Sequence, residues 1–171
     1  MTTLRRIVTG TNDQGRSHVV SDGAPFEFGT LTEFWATESA PAGYGSDDEV
    51  AGRRVKLEPP ENGTVFRFFR VDPEDPDKTR DEVDQEVATA FSVVGAEHCR
   101  PDSSRHPRMH MTSSVDYVVL LQGEVTLMLD DDEVDLKPFD VVVQRGTNHA
   151  WINKANVPAL LVGILVDAEK S

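Results

Sequence analysis

Four residues that could do chemistry gather in the second half of this 171-residue chain: His106, His110, Asp116 and His149. In the run Met109–Tyr117, period-two alternation along a strand sets His110, Thr112, Ser114 and Asp116 on one face. Val118 and Leu120 continue that face, which marks it as the buried one. An imidazole and a carboxylate among valines and leucines are costly unless each finds a partner. A metal ion would satisfy both, because neutral imidazole nitrogen and carboxylate oxygen are ordinary ligands for Fe, Zn, Mn or Ni. A plain His–Asp hydrogen bond inside the fold would satisfy them equally. Beyond Gln144 and a turn at Gly146, the chain re-enters with His149, Trp151 and Asn153 on a common face. Two inward histidines and one inward carboxylate from neighbouring strands make a set with open coordination positions.

The elements that must position these residues read mostly as short strands. Runs rich in Val, Leu and Phe fall at Arg5–Val8, Ser17–Val20, Thr30–Ala36, Val65–Arg70, Val115–Leu121, Val125–Leu129, Val134–Leu136, Val141–Gln144 and Ala159–Val166. Turn signals separate them, among them Gln122-Gly123 and Asp130-Asp131-Asp132. Strands at this spacing without alternating helices predict an antiparallel sandwich or barrel. One segment differs. Thr79-Arg80-Asp81-Glu82 is a capping-box sequence, and Val83, Val87, Ala90, Phe91 and Val94 follow at helical spacing before Gly95. A single short helix over 79–94 is therefore predicted, packed on the flank or closing over the site. The acidic, Pro-rich run 72–77 ahead of it reads as an extended connection, and residues 38–63 as a long surface loop. One continuous domain over 1–171 is expected: N-terminal strands and loop over 1–70, the acidic connection and helix over 71–104, and a barrel over 105–168.

Acidic residues outnumber basic ones by 30 to 17, for a formal charge of −13. That balance repels phosphate backbones and anionic head groups, so neither nucleic acid nor membrane is expected as a partner. Pro158–Val166, the longest apolar stretch, is too short to span a bilayer, and no apolar run follows the arginines of the N-terminus as a secretory signal would require. The single Cys99 excludes an intramolecular disulfide and a Cys-based zinc site, and fits a reducing, cytoplasmic setting. No Gly-rich phosphate loop, Ser–His–Asp spacing or activated cysteine is visible, which disfavours phosphoryl transfer and covalent hydrolysis. His18 and His98 stand apart from the other histidines and read as surface residues, while Tyr117 alternates to the face opposite Asp116 and reads as packing.

The run from His110 to Asn153 resembles the cupin superfamily in its small, single-domain cupin-2 form. The first cupin motif, G-x5-H-x-H-x3-4-E-x6-G, is matched here by His110, Thr112, Asp116 and Gly123. The second, G-x5-P-x-G-x2-H-x3-N, is matched by Gly146, His149 and Asn153. Four positions depart: Thr112 stands for the second histidine, Asp116 for the glutamate, Gln144 for the proline, and Phe139 where the turn has glycine. The resemblance implies an all-β antiparallel cupin barrel (a jelly roll) with extra N-terminal strands and one short inserted helix. It also implies a divalent metal ion, Fe, Zn, Mn or Ni, held by His110, Asp116 and His149, with Thr112 a poor substitute for a fourth ligand. Thr112, Trp151 and Asn153 would line a pocket for a small-molecule substrate. His106 would stand at the barrel mouth as a proton-transfer group or as an exposed residue. The expected activity is metal-assisted lyase or isomerase chemistry (dehydration, decarboxylation or tautomerisation) on a small oxygenated molecule. A non-haem Fe(II) dioxygenase and a non-catalytic binding barrel are the alternatives. The resemblance also implies a homodimer.

Overall fold

A computed structural model describes residues 4–43 and 53–169. In chain order the strands are β1 (Arg6–Thr11), β2 (Ser17–Gly23), β3 (Phe26–Phe28), β4 (Leu31–Thr37) and β5 (Thr64–Val71). Helix α1 (Arg80–Val93) follows, then β6 (Ser114–Gln122), β7 (Val125–Leu129), β8 (Glu133–Leu136), β9 (Val141–Arg145), β10 (His149–Ile152) and β11 (Ala159–Asp167). A six-stranded antiparallel sheet in the order β3-β4-β5-β11-β6-β9 packs on a three-stranded one, β10-β7-β8. The hairpin β1–β2 forms a third, separate sheet. The fold is thus all-β with one helix, as expected, and no helix among the described residues is long and apolar enough to cross a membrane.

The inner face of the large sheet is layered along its strands. At one end Phe69, Leu161 and Leu120 are in register across β5, β11 and β6. Together with Val118, Leu127, Leu136 and Trp151 they fill the space between the two sheets with apolar side chains. Complete burial of a side chain such as Leu120 or Leu161 contributes about 2 kcal/mol. At the other end the in-register residues are Val65, Leu165, Asp116 and Gln144, and the layer turns polar. Between these layers lies Arg67, opposite Gly163 on β11. The outer face of the small sheet buries a second cluster, in which Met109 covers Met128, Ala150 and Ile152.

Helix α1 begins with the anticipated capping box. The Thr79 hydroxyl accepts from the Glu82 amide at 3.3 Å, and the Glu82 carboxylate accepts from the Thr79 amide at 2.8 Å. Its apolar stripe is narrower than its spacing implies: Val87 is buried, but Ala90 is exposed. Three further features depart from expectation. Strand β3 has only three residues, two of them phenylalanines flanking a glutamate, and lies outside the predicted strands. The stretch Met109–Ser113 is not a continuous strand: β6 starts at Ser114, and His110 joins the fold through an isolated bridge. Of the predicted surface loop, residues 44–52 lie outside those described, whereas the part from 53 packs inward. Val55 is buried there, and the carbonyls of Lys56 and Leu57 accept from the Arg67 guanidinium.

Two of the residues with positive φ bear on stability. Gly123 sits at φ 86°, and a Cβ there would lie 2.8 Å from the Ala159 Cα. Phe139 adopts φ 76°, and the residue is 78% exposed. Gly123→Ala is expected to lower stability by about 2 kcal/mol or more, through clash and strain together. Phe139→Gly is expected to raise it by about 1 kcal/mol, because the strain is relieved and little burial is lost. Urea melts of the two variants against the parent check both signs.

Candidate functional site

The site is organised by backbone before side chains enter. His110 and His149 exchange both amide-to-carbonyl hydrogen bonds, each at 2.8 Å. The bridge brings their imidazoles to 4.3 Å between centroids, tilted by 46°. Each ring is then oriented by its own chain. His110 Nδ1 donates to the Arg108 carbonyl and His149 Nδ1 to the Thr147 carbonyl, both at 3.0 Å. With the proton on Nδ1, each Nε2 presents a lone pair, the form in which imidazole ligates metals. Burial favours this neutral state, holding His110 below the ordinary histidine range. His149, buried and beside His110, is lowered to about 3. Phe91 of α1 meets the His110 ring edge-on at 5.4 Å, and Trp151 meets the His149 ring at 5.5 Å.

Asp116 stands on β6 opposite Gln144, at the polar end of the inner layer. It is buried, and its Oδ1 has no hydrogen-bond partner. Burial pushes its carboxyl up to about 6, against the opposing pull of the Ser114 hydroxyl and the Arg67 guanidinium. The Ser114 hydroxyl is shared with that of Thr112 at 2.8 Å. Arg67 is committed to Glu33 at 2.7 Å, a pair whose side chains are each 3% exposed. Gln144, noticed in the sequence only as a departure from a motif, has a definite task. Its amide donates to both oxygens of Thr147, whose carbonyl also holds His149 Nδ1. It therefore braces the turn that aims His149.

A divalent ion fits this donor set chemically: two neutral imidazoles with free Nε2 atoms, and a buried carboxylate oxygen lacking a partner. The three do not close on one another as they stand. Among the described residues, the group of three whose ligand atoms all lie within 4.8 Å is Glu58, His98 and Cys99. Nothing in the sequence spacing indicated that group, and His98, read there as a solitary surface residue, is paired with Glu58 at 2.7 Å.

The remaining site candidates are dispersed. Trp151 belongs to the apolar cluster and touches Phe69 as well as His149. Asn153 is buried and joins its own turn to the end of β5: its amide donates to the carbonyls of Val71 and Val157, and its oxygen accepts from the Ala155 amide. His106 pairs with Glu74 at 3.1 Å in an open cleft of about 1320 Å³, whose walls include Arg80, Arg108 and Asn153 but not His110, Asp116 or His149.

Raising the Asp116 carboxyl makes its ionisation in the folded state unfavourable. The associated stability is present in acid and is lost as pH rises through about 6. Asp116→Asn should therefore be more stable than the parent at pH 8 by about 1–3 kcal/mol, with the difference vanishing toward pH 4. Urea midpoints at the two pH values check it.

No family model matches the chain. Over 49 residues it is 55% identical to phomopsin biosynthesis cluster protein C' of Diaporthe leptostromiformis, covering 28% of this chain and 26% of that protein. Over 63 residues it is 35% identical to a cupin-domain-containing oxidoreductase of Aspergillus ruber, covering 34% of this chain and 31% of that protein. The matches thus span between a quarter and a third of these relatives' length. Among solved structures, a Cupin 2 conserved barrel domain protein from Salinispora arenicola is similar at 11% identity and a TM-score of 0.38, over 69% of each chain.

Proposed function

From a chain that folds as a cupin barrel, we propose a metal-dependent enzyme acting on a small oxygenated organic molecule by lyase or isomerase chemistry. The observation that carries this reading is the bridged histidine pair, neutral and buried, with both Nδ1 atoms donating and both Nε2 atoms free. His110 and His149 hold a divalent ion, Fe, Zn, Mn or Ni, through Nε2. A bound ion supplies Lewis acidity toward a carbonyl or enol oxygen of the substrate. Asp116 Oδ1 moves the proton. Its carboxyl, raised to about 6, is close enough to neutrality both to accept and to return one. Phe91 and Trp151 shield the imidazoles from water, Thr112 and Ser114 set the polar wall beside Asp116, and His106 serves the cleft outside.

A second reading, non-haem Fe(II) dioxygenase chemistry at the same pair, is favoured by one observation: the Aspergillus ruber relative is named an oxidoreductase. Elemental analysis of the parent beside His110→Ala, His149→Ala and Asp116→Asn tests the proposal. Each histidine variant is expected to hold one ion per chain fewer than the parent, with iron as the ion lost and substrate-dependent O₂ uptake promoting the second reading. Asp116→Asn should keep its ion. Loss of the ion there would make Asp116 a ligand and overturn its role as proton carrier. A parent that takes up no Fe, Mn, Ni or Zn sensitive to the histidine variants overturns both metal readings and leaves a binding barrel.

The working unit in this proposal is a homodimer formed through the outer face of the six-stranded sheet. Two cross-strand rows there are apolar: Phe66, Ile164, Tyr117 and Val143, then Phe68, Val162, Val119 and Val141. Tyr117 is 48% exposed, Val143 55% and Val141 65%, an apolar patch of the kind that marks an interface. Sedimentation equilibrium should give twice the chain mass for the parent and the single mass for Val143→Glu. A monomeric parent would sink the dimer.

A further inference from the structure

Away from the histidine pair, Glu58, His98 and Cys99 bring a carboxylate oxygen, an imidazole nitrogen and a thiol sulfur to within 4.8 Å of one another. Glu58 comes from the segment ahead of β5, while His98 and Cys99 sit on the short 3-10 turn Glu97–Cys99 behind α1. His98 Nε2 is 2.7 Å from Glu58 Oε2 and 3.5 Å from Cys99 Sγ. The other carboxylate oxygen, Oε1, accepts from the Ser113 amide at 2.9 Å, and the Met111 amide donates to the Cys99 carbonyl at 2.7 Å. The cluster is closed on one side and open on the other: Cys99 is 1% exposed, whereas the His98 side chain is 64% exposed. A single thiol argued, from sequence, against a cysteine-based zinc site. The fold gathers the missing donors from a histidine next to it and a glutamate 40 residues away from that histidine.

We propose that Glu58, His98 and Cys99 form a zinc site, separate from the His110–His149 pair. Sulfur, imidazole nitrogen and carboxylate oxygen are the three donor types zinc takes, and the open side leaves the fourth position to water. Loading is a proton exchange with no redox change. The Cys99 thiol gives its proton to solvent, and His98 moves its own from Nε2 to Nδ1. Thiolate and carboxylate together then balance the ion's two positive charges. The site ties the segment ahead of β5 and the turn behind α1 to residues 111–113, the stretch that joins His110 to β6. Its role is to clamp that stretch, and it stands whether or not the histidine pair holds an ion.

Because the chain has one cysteine, a cobalt–thiolate charge-transfer band can arise only at Cys99. Metal-free protein titrated with Co²⁺ should develop that band to saturation, and Zn²⁺ should abolish it. His98→Gln, at an exposed position that tolerates change, should raise the half-saturating Co²⁺ concentration about tenfold or more. Cys99→Ser should remove the band, and where that variant fails to fold His98→Gln decides. No band in the parent, a band that Zn²⁺ leaves untouched, or an unchanged midpoint in His98→Gln overturns the proposal.

Discussion

Two backbone hydrogen bonds between His110 and His149 are the constraint on which the site depends. They join a stretch that is otherwise not strand to the edge of the small sheet, and so decide which two imidazoles meet. Everything next to them serves the same end. The carbonyls of Arg108 and Thr147 fix the tautomer of each ring, and Gln144 fixes Thr147. At Gly146 the turn takes φ 54°, where a Cβ would crowd the Thr112 carbonyl at 3.3 Å. A pair oriented by main-chain atoms is held more rigidly than one oriented by flexible side chains, because main-chain carbonyls have no rotamers to lose.

The polar end of the sandwich is expensive to build. Arg67 is buried with Glu33, and burial presses its guanidinium below its ordinary range while the carboxylate opposes that. Carbonyls of Lys56 and Leu57 cap the guanidinium, and Gly163 across the sheet contributes no side chain to compete for the space. Asp116 receives only part of this compensation and is left with one oxygen unpaired. Arg67 Nε and Glu33 Oε1 also lack a hydrogen-bond partner, but their residues form an ion pair at 2.7 Å. Asp116 makes no such pair among the described residues, which marks a functional position rather than a packing one.

What was legible in the sequence followed from local rules. The capping box at Thr79 and Glu82, the inward alternation of Ser114, Asp116, Val118 and Leu120, and the turn at Gly123 are all encoded within a few residues. The antiparallel all-β class followed from the same punctuation. The failures share a cause, dependence on residues far away in the chain. The predicted strand through Met109 is broken because His110 answers to His149 rather than to β6, and the supposed surface loop is drawn inward by Arg67. Glu33 meets Arg67, and Glu58 meets His98, across separations that no periodicity spans. Asn153, placed from its motif position, ties its own turn to the end of β5 through the Val71 carbonyl, a partner 82 residues away.

The position of β11 has a consequence for how the protein comes into being. It lies between β5 and β6, making antiparallel ladders with both, yet it follows both along the chain. Until it emerges from the ribosome, the two strands that will flank it have no shared partner, and the inner layers that run through Leu161, Gly163 and Leu165 cannot assemble. Growth of the large sheet is therefore not vectorial. The N-terminal strands must wait with an unpaired edge, the state in which nascent β-rich chains are most exposed to association with one another.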